Sequence, residues 1–398
     1  VLVAGAGIAG LTAALALAQR GHRVHVFDRR DDLEEAGAGI QLSPNASRVL
    51  IGLGLAPALA PLAVAPARLD IRRAGEPRSH AGMPMNDEAS LFGAPFWVVT
   101  RQDLHGVLLA AAHAHPAITV ENGWALTALR DEAPAPCQVT VMDRHGHTRE
   151  VPAAALLCCD GLWSAGRRLL GDASAPRFTG AEAWRTLVPA TCMPAFARAP
   201  AVNLWLGHGW HVVHYPVAAG AYVNLVFIRD NGEARAGWSE PADPADMQRL
   251  LTGACPTLRQ LVAAVETCRI WSLYDRPETR RHVRGRVALM GDAAHPMLPY
   301  LAQGGAMAIE DAAVLAAVMP APAALAPEGI RLALLRYQGL RQARTARVQA
   351  KARQNALIYH ANPLLAFARD AALSRISPRA FLARYEWLYG WQPPESAP

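Results

Sequence analysis

Val1-Leu2-Val3-Ala4-Gly5-Ala6-Gly7-Ile8-Ala9-Gly10 opens the chain, and how it is read decides the fold. Val1 to Ala4 is an apolar strand too short to stand alone. Three glycines follow, then the helical run Ile8 to Gln19. Strand, tight turn and helix in this order make the first unit of a dinucleotide-binding fold. Gly5 permits the turn, Gly7 leaves no side chain where a pyrophosphate must approach, and Gly10 lets the helix pack closely on the sheet. Unpaired N–H groups at the helix start then face the phosphates. A second strand, Arg23 to Phe27, ends at Asp28, about 20 residues beyond the glycines, where a carboxylate accepts hydrogen bonds from a ribose diol. Arg29 follows at the same edge and joins the candidate nucleotide contacts. Residues 1–18 are apolar enough to suggest a signal or membrane segment, but no basic stretch precedes them and glycines cluster where a spanning helix needs bulk. The chain begins without an initiator methionine, and a few natural residues are expected ahead of Val1.

A length of 398 residues favours two or three structural units around a large core. Hydrophobic residues make up 52% and charged residues 18%, which fits a soluble globular chain; disorder is expected only at the Pro-containing end, Gln392 to Pro398. The formal charge of +6 is modest. Arg331, Arg336, Arg341, Arg344, Arg347 and Arg353 fall on the predicted helix Gly329 to Leu357 and read as a solvated face, with attraction of anionic substrates or a nicotinamide dinucleotide as the alternative. No aromatic residues interleave with these cations, which argues against nucleic acid as a partner. Six cysteines without a CxxC pair fit a reducing cytoplasm, and the neighbours Cys158 and Cys159 read as small buried residues. His113-Ala114-His115 and His145-Gly146-His147 have the spacing of metal ligands but no third ligand, so no metal is expected.

Further along, Ser43-Pro44 reads as an N-cap and first-turn proline of a short helix, after the nearly side-chain-free segment Gly37-Ala38-Gly39-Ile40. Thr100 and Asp103 make a capping-box-like start to a helix from Arg101 to Ala112. Gln138 to Met142 and Thr148 to Val151 flank a turn as a hairpin, and the apolar strand Ala153 to Cys159 delivers Asp160-Gly161 at the sheet edge where open α/β folds bind ligands. After about residue 176 the runs become strand-like and aromatic: Ala183 to Val188, Val202 to Leu206, Trp210 to Val217 and Tyr222 to Ile228. Arg286 to Met290 then returns to a buried strand, followed by a helix from Gln303 to Val318. The expected fold is α/β: a discontinuous Rossmann-like nucleotide-binding domain over 1–72, 96–175 and 272–325, with an inserted, mainly antiparallel β-sheet substrate domain from 73–95 and 176–271. A helical C-terminal segment, 326–398, closes the end.

Gly291-Asp292 at a strand end puts a carboxylate within reach of the polyol chain of a flavin. Pro299 and Gln303-Gly304-Gly305 follow at a helix start, whose free N–H groups stabilise the negative charge a reduced flavin carries near N1 and its C2 carbonyl. At this point the chain resembles the single-component FAD-dependent aromatic hydroxylases, the group similar to salicylate hydroxylase, 3-hydroxybenzoate 6-hydroxylase and 6-hydroxynicotinate 3-monooxygenase. The resemblance rests on Gly5 to Gly10, Gly37 through Ala46, Arg101-Gln102-Asp103-Leu104, Asp160-Gly161-Leu162-Trp163-Ser164 with Arg167, Gly291 through Ala312, and Trp387-Leu388-Tyr389-Gly390. It implies FAD held non-covalently by the glycine turn, Asp28, Arg101 and Asp292, with Asp160-Gly161 serving both FAD and the nicotinamide donor. No second glycine fingerprint is present, in keeping with a family that binds NADH or NADPH transiently. The implied reaction is reduction of FAD by NAD(P)H, formation of a C4a-hydroperoxide with O2, and electrophilic transfer of its terminal oxygen to an electron-rich ring.

Ionising a phenol makes its ring far more nucleophilic, so a base beside the substrate hydroxyl is worth seeking. His211 and Tyr215 lie four apart on a predicted strand and share a face with Val213, while Trp210, Val212 and His214 take the other. The resemblance places its base and its substrate-orienting phenol at this spacing, giving His211 as base and Tyr215 as anchor. A one-residue change of register exchanges His211 for His214. Gln41 and Tyr300 stand where relatives carry other residues, histidine at the first and histidine or glutamine at the second, and both are expected to border the ring site. Arg185 is read either as a partner for a substrate carboxylate or as a surface ion-pair residue. The leading expectation is an NAD(P)H-dependent monooxygenase acting on a small hydroxylated aromatic carboxylate, as monomer or homodimer. The alternatives are an oxidase or reductase of the same fold that inserts no oxygen, and a non-catalytic flavin-binding protein.

Overall fold

Val3, fully buried, lies in the middle of a parallel sheet whose two faces are both covered. Leu2–Ala4 pairs in parallel with Leu156–Cys158 on one side and with Val24–Asp28 on the other; Val287–Leu289 and Ile118–Asn122 extend the sheet, and Val283–Arg284 adds an antiparallel edge. The central strands Leu2–Ala4, Leu156–Cys158 and Val287–Leu289 are apolar throughout because each face has its own cover. Val3, Val26, Leu157 and Ala288 pack against the helices Ile8–Gln19 and Gly304–Val318, whereas Leu2, Ala4, Phe27, Leu156 and Leu289 pack against Leu126, Val139 and Val141 of a three-stranded sheet. The computed structural model describes residues 1–33, 38–85, 92–230, 234–235, 239–279 and 281–395. Gly37 of the small-residue segment and residues 396–398 of the tail lie outside them.

A second, eight-stranded sheet follows the order Glu240–Ala242, Cys268–Asp275, Arg177–Pro189, Tyr222–Asp230, Trp210–Val217, Ala201–Leu206, Arg68–Arg73 and Ser79–Pro84. Its pairs are antiparallel except for Ala201–Leu206 with Arg68–Arg73. Strand alternation divides it: Trp205, Val212 and Phe227 meet Met247 and Leu258 of two helices on one face, while Leu204, Tyr215 and Val217 meet Val98, Met307 and Val348 on the other. The second face looks toward the nucleotide-fold helices. The sheet takes in Arg68–Arg73 and runs to Asp275, so its strands pass the edges expected at 72 and 271.

The helix Pro327–Tyr359 corrects one expectation. Its arginines form a solvated face only in part: Arg331, Arg336 and Arg347 reach solvent, whereas Arg341, Arg344 and Arg353 are turned onto neighbouring elements. Arg341 is completely buried and donates to Glu310 and Asp311, both equally buried, on the helix Gly304–Val318. Arg344 donates to Glu310, Arg353 to Asp275, and Arg347 lies 3.8 Å over the Trp387 ring. The periodicity of charge was legible, but the side it faced depended on an acid pair carried by another helix. No single described helix is long and apolar enough to cross a membrane.

Candidate active site

The three N-terminal glycines differ in what surrounds them. At Gly5, where φ is +108°, an added Cβ would lie 2.4 Å from the Cys159 carbonyl oxygen; at Gly10 it would lie 1.8 Å from that of Gly5. Gly7 has nothing within 4 Å of such an atom, and as N-cap of Ile8–Gln19 it leaves the first amides of that helix without a side-chain cap. Two glycines therefore close the packing and the third opens onto a void lined by helix N–H groups, the arrangement a pyrophosphate needs. Gly10→Ala is consequently expected to destabilise the fold by about 1–3 kcal/mol. Gly7→Ala should leave the apoprotein within about 0.5 kcal/mol of wild type yet weaken FAD retention. Denaturant unfolding and flavin titration of both variants check this; equal unfolding midpoints would contradict it.

Asp28 ends its strand beside this turn. Its buried carboxylate accepts Ala6 N–H at 2.8 Å, and Arg30 donates to it through both backbone and guanidinium at 2.9 and 3.0 Å. Burial opposes ionisation, but Arg30 and the Ala6 amide prevail and hold the carboxyl below its ordinary value. Arg29 itself is exposed at the rim. His105, one of the residues the sequence reading passed over, fixes the same turn by a 2.7 Å contact from Nε2 to the Ala6 carbonyl.

The Asp160 carboxylate accepts the Ser164 hydroxyl and the Gly166 N–H, bracing the turn into the helix Ala165–Leu169, whose N-cap is Ser164. Gly161 beside it has φ +74° and open space in front. At the same edge of the sheet, beyond the C-terminal end of the neighbouring parallel strand Val287–Leu289, Asp311 Oδ2 accepts Gly291 N–H at 2.9 Å and contacts His295 Nε2 at 2.7 Å, which holds the Gly291-Asp292 turn. Asp292 is exposed, with protein crowded around it, as expected of a group at the wall of an open cleft. Burial raises its carboxyl pKa against the opposing influence of His295 and Arg101. The helix Gly304–Val318 begins without a side-chain cap, and a Cβ on Gly304 would meet only Asp292 Oδ1 at 4.0 Å. Pro299 opens the preceding short turn, Pro299–Leu301. Uncapped amides at two helix starts, open glycines and a cleft carboxylate fit the phosphates, ring edge and polyol of FAD.

Ser43 is the N-cap of Pro44–Gly52 by backbone but makes no capping bond with its side chain. Its hydroxyl donates instead to Asn45 Oδ1 at 2.6 Å and accepts from Gln303 Nε2 at 2.9 Å, joining this helix to the start of Gly304–Val318. Thr100 does cap, accepting Asp103 N–H at 2.9 Å, and it sets Arg101 at the first position of Arg101–Ala114.

On the sheet, His211 and Tyr215 share the cleft-side face with Val213. Gln41 lies next to the Tyr215 phenol, and burial raises the phenol's pKa. The strand Gly39–Leu42 passes so close that a Cβ on Gly39 would come within 2.8 Å of the Tyr215 hydroxyl; Gly39 N–H donates to Asn224 Oδ1 at 2.7 Å. Arg185 faces the same space, 5.0 Å over the Trp271 ring, and burial with the nearby Arg101 lowers its pKa to about 10. His214 points the other way: it stacks on Trp205 at 6.3 Å, and among the described residues neither ring nitrogen has a hydrogen-bond partner. Burial, with Arg72, pushes its pKa down to about 3. His211 meets Tyr300 at 5.4 Å and Tyr359 at 5.3 Å between ring centroids, and its Nδ1 lies 2.9 Å from His360 Nε2. Gln41 thus lies beside Tyr215, and Tyr300 beside His211, on one face of the sheet, while Asp292 adjoins Gly304 at the start of the helix Gly304–Val318.

Comparison with known proteins bears on the family and the fold. The signature of the family described as FAD binding domain matches residues 1–352. A 3-amino-4-hydroxybenzoate 2-monooxygenase of Streptomyces cremeus is 36% identical over 98% of this chain and 94% of its own length. A 3-hydroxybenzoate 6-hydroxylase of Aquipseudomonas alcaligenes is also 36% identical, over 98% and 97%. Among solved structures, Klebsiella pneumoniae HpxO complexed with FAD and uric acid superposes with a TM-score of 0.83 at 27% identity, covering 96% of this chain and 94% of that one. A salicylate hydroxylase substrate complex shares the fold, with a TM-score of 0.81 at 24% identity over 98% and 95%.

Proposed function

The chain belongs to the FAD binding domain family and is an FAD-dependent aromatic hydroxylase, and from that premise we propose how its residues divide the work. The substrate is a small hydroxylated aromatic carboxylate, of the class that the hydroxybenzoate enzymes among its relatives are named for. FAD is held by the Gly5–Gly10 turn, Asp28, Arg101, Asp160-Gly161, Gly291-Asp292, Pro299 and Gly304. When bound it supplies two-electron chemistry from NADH or NADPH and activates O2 for electrophilic oxygen transfer.

The observation that carries the residue assignment is the shared orientation of His211 and Tyr215 toward the cleft while His214 is packed away behind the sheet. His211 takes the phenolic proton and so enriches the ring; Tyr215, steadied by Gln41, orients the hydroxylated edge; Tyr300 closes the wall next to His211. Arg101 and Arg185 give the cleft a positive field suited to a carboxylate. Cytoplasmic residence and a monomeric or homodimeric state complete the reading, the former supported by six cysteines that are all free.

A screen of hydroxybenzoates and hydroxypyridine carboxylates for stimulated NAD(P)H oxidation by the FAD-loaded protein tests this reading. Stimulation of at least about tenfold by one phenolic acid, with a product heavier by one oxygen, is expected. Stimulation with no oxygen in the product would replace the assignment with oxidation or reduction, and a protein that takes up no flavin would remove it.

A further inference from the structure

His211 is enclosed by protein, yet a continuous hydrogen-bonded path leads from it to solvent. Its Nδ1 lies 2.9 Å from His360 Nε2, and His360 Nδ1 lies 2.9 Å from Asp230 Oδ1, whose side chain is 57% exposed. The three residues come from distant parts of the chain. His211 is on Trp210–Val217, Asp230 ends the neighbouring strand Tyr222–Asp230, and His360 is the C-cap of Pro327–Tyr359.

We propose that His360 and Asp230 form a proton relay that fixes the tautomer of His211 and carries the substrate's phenolic proton to solvent. The proposal rests on His211 being the base of the hydroxylation site. Direction follows from donor and acceptor chemistry. An ionised carboxylate only accepts, so the His360 Nδ1 carries its proton toward Asp230; the Nε2 of neutral His360 then accepts from His211 Nδ1–H. That leaves the His211 Nε2 lone pair free, the tautomer a base requires. When the phenol O–H breaks and its proton binds Nε2, the Nδ1 proton moves to His360 Nε2, and the His360 Nδ1 proton passes through Asp230 to water. One proton leaves the phenol, one reaches solvent, and no oxidant or reductant is needed. After oxygen transfer the phenolate of the product takes the Nε2 proton of His211, His360 Nε2 returns its proton to His211 Nδ1, and a proton from water re-enters through Asp230 to His360 Nδ1, which restores the starting tautomers.

The surroundings favour outward movement. Burial holds the imidazolium form of His211 at a disadvantage, and among the described residues the titratable groups facing it are the phenols of Tyr300 and Tyr359 and the ring of His360, none of them a carboxylate. A base that cannot keep a proton serves only if it can pass it on. His360 sits at a helix C-terminus, where cations are stabilised, and touches Asp230.

Two measurements on the FAD-loaded protein test the relay. The first needs no turnover: imidazole nitrogen NMR should show His211 protonated on Nδ1 with Nε2 bare, and Asp230→Asn or His360→Ala should move it toward a mixture of tautomers. The second is stopped-flow appearance of the phenolate band when 3-hydroxybenzoate binds, without reductant. His360→Ala should slow this step about tenfold or more and lower kcat alike with KM changed less than about threefold. Added imidazole should restore the rate in that variant, and Asp230→Glu should retain it. Unchanged tautomer together with unchanged phenolate kinetics in both His360→Ala and Asp230→Asn would overturn the relay. If 3-hydroxybenzoate gives no band with wild type, that failure belongs to the substrate reading, and the tautomer measurement still decides the relay.

Discussion

His211→Ala is expected to lower ring hydroxylation by about 10²–10⁴-fold, the usual contribution of a positioned general base, while FAD stays bound. The reason lies in the division of the cleft. Cofactor-side groups such as Asp292 and the Gly304 helix start belong to other elements than His211, so removing the imidazole leaves the flavin cradle in place. Without a base the phenol stays protonated and its ring is a poor nucleophile. Activated oxygen then escapes as hydrogen peroxide, so NAD(P)H consumption should persist in part while product yield collapses. Product formed per NAD(P)H consumed, with peroxide measured beside it, checks this; coupling as tight as wild type with an accepted substrate would exclude His211 from the role. His214→Ala is a useful contrast. That ring is enclosed by Trp205 and Phe196 on the far face, so its loss should cost stability and leave coupling intact.

Arg341→Met should lower the stability of the whole protein by roughly 3–5 kcal/mol, because it strips one partner from a completely buried ion pair network. Glu310 and Asp311 are adjacent, both buried, and Arg341 donates to each at 2.6 and 2.7 Å. Arg344 remains on Glu310 at 2.7 Å but does not touch Asp311. Burial disfavours the Asp311 carboxylate, yet His295 and Arg341 hold its pKa well below the ordinary value. A depressed folded pKa contributes stability that is present above the unfolded pKa, about 3.9, and is lost as pH falls through the folded one. Without Arg341 the folded pKa rises, so the deficit of the variant should be largest near neutral pH and shrink toward pH 4. Denaturant unfolding at several pH values measures it. A loss below about 1 kcal/mol that does not vary with pH would mean the pair acts as a solvated one. Since Asp311 also holds the Gly291 amide, weaker FAD retention should accompany the loss.

How much of this was legible in the sequence varied with the range of the interaction. The Gly5 to Gly10 turn, the Thr100 cap and the His211 and Tyr215 alternation are local, set by backbone geometry and period, and the structure has helix Ile8–Gln19 and strand Trp210–Val217 with the limits expected. The sense of the arginines on Pro327–Tyr359 was not legible, because whether an arginine faces water depends on what the helix is laid against. Here that is an acid pair some 30 residues away. Ser43 has the sequence of an N-cap but uses its hydroxyl to reach Gln303, 260 positions distant. His360 illustrates the same limit for the site. It follows an unremarkable helix end, 149 positions from His211, and nothing within either segment marks the other as its partner. The one signal available was that a histidine stands where a long helix stops, the place where a cation is stabilised.

The central claim is that this cleft transfers an atom of O2 to a phenolic ring. The most direct measurement is turnover of the FAD-loaded protein with NAD(P)H, an accepted hydroxybenzoate and ¹⁸O-labelled O2, followed by the mass of the product. The account expects one labelled oxygen per product molecule, supplied by O2 and none by water. A product that carries no label while NAD(P)H is consumed in proportion to it would contradict the claim.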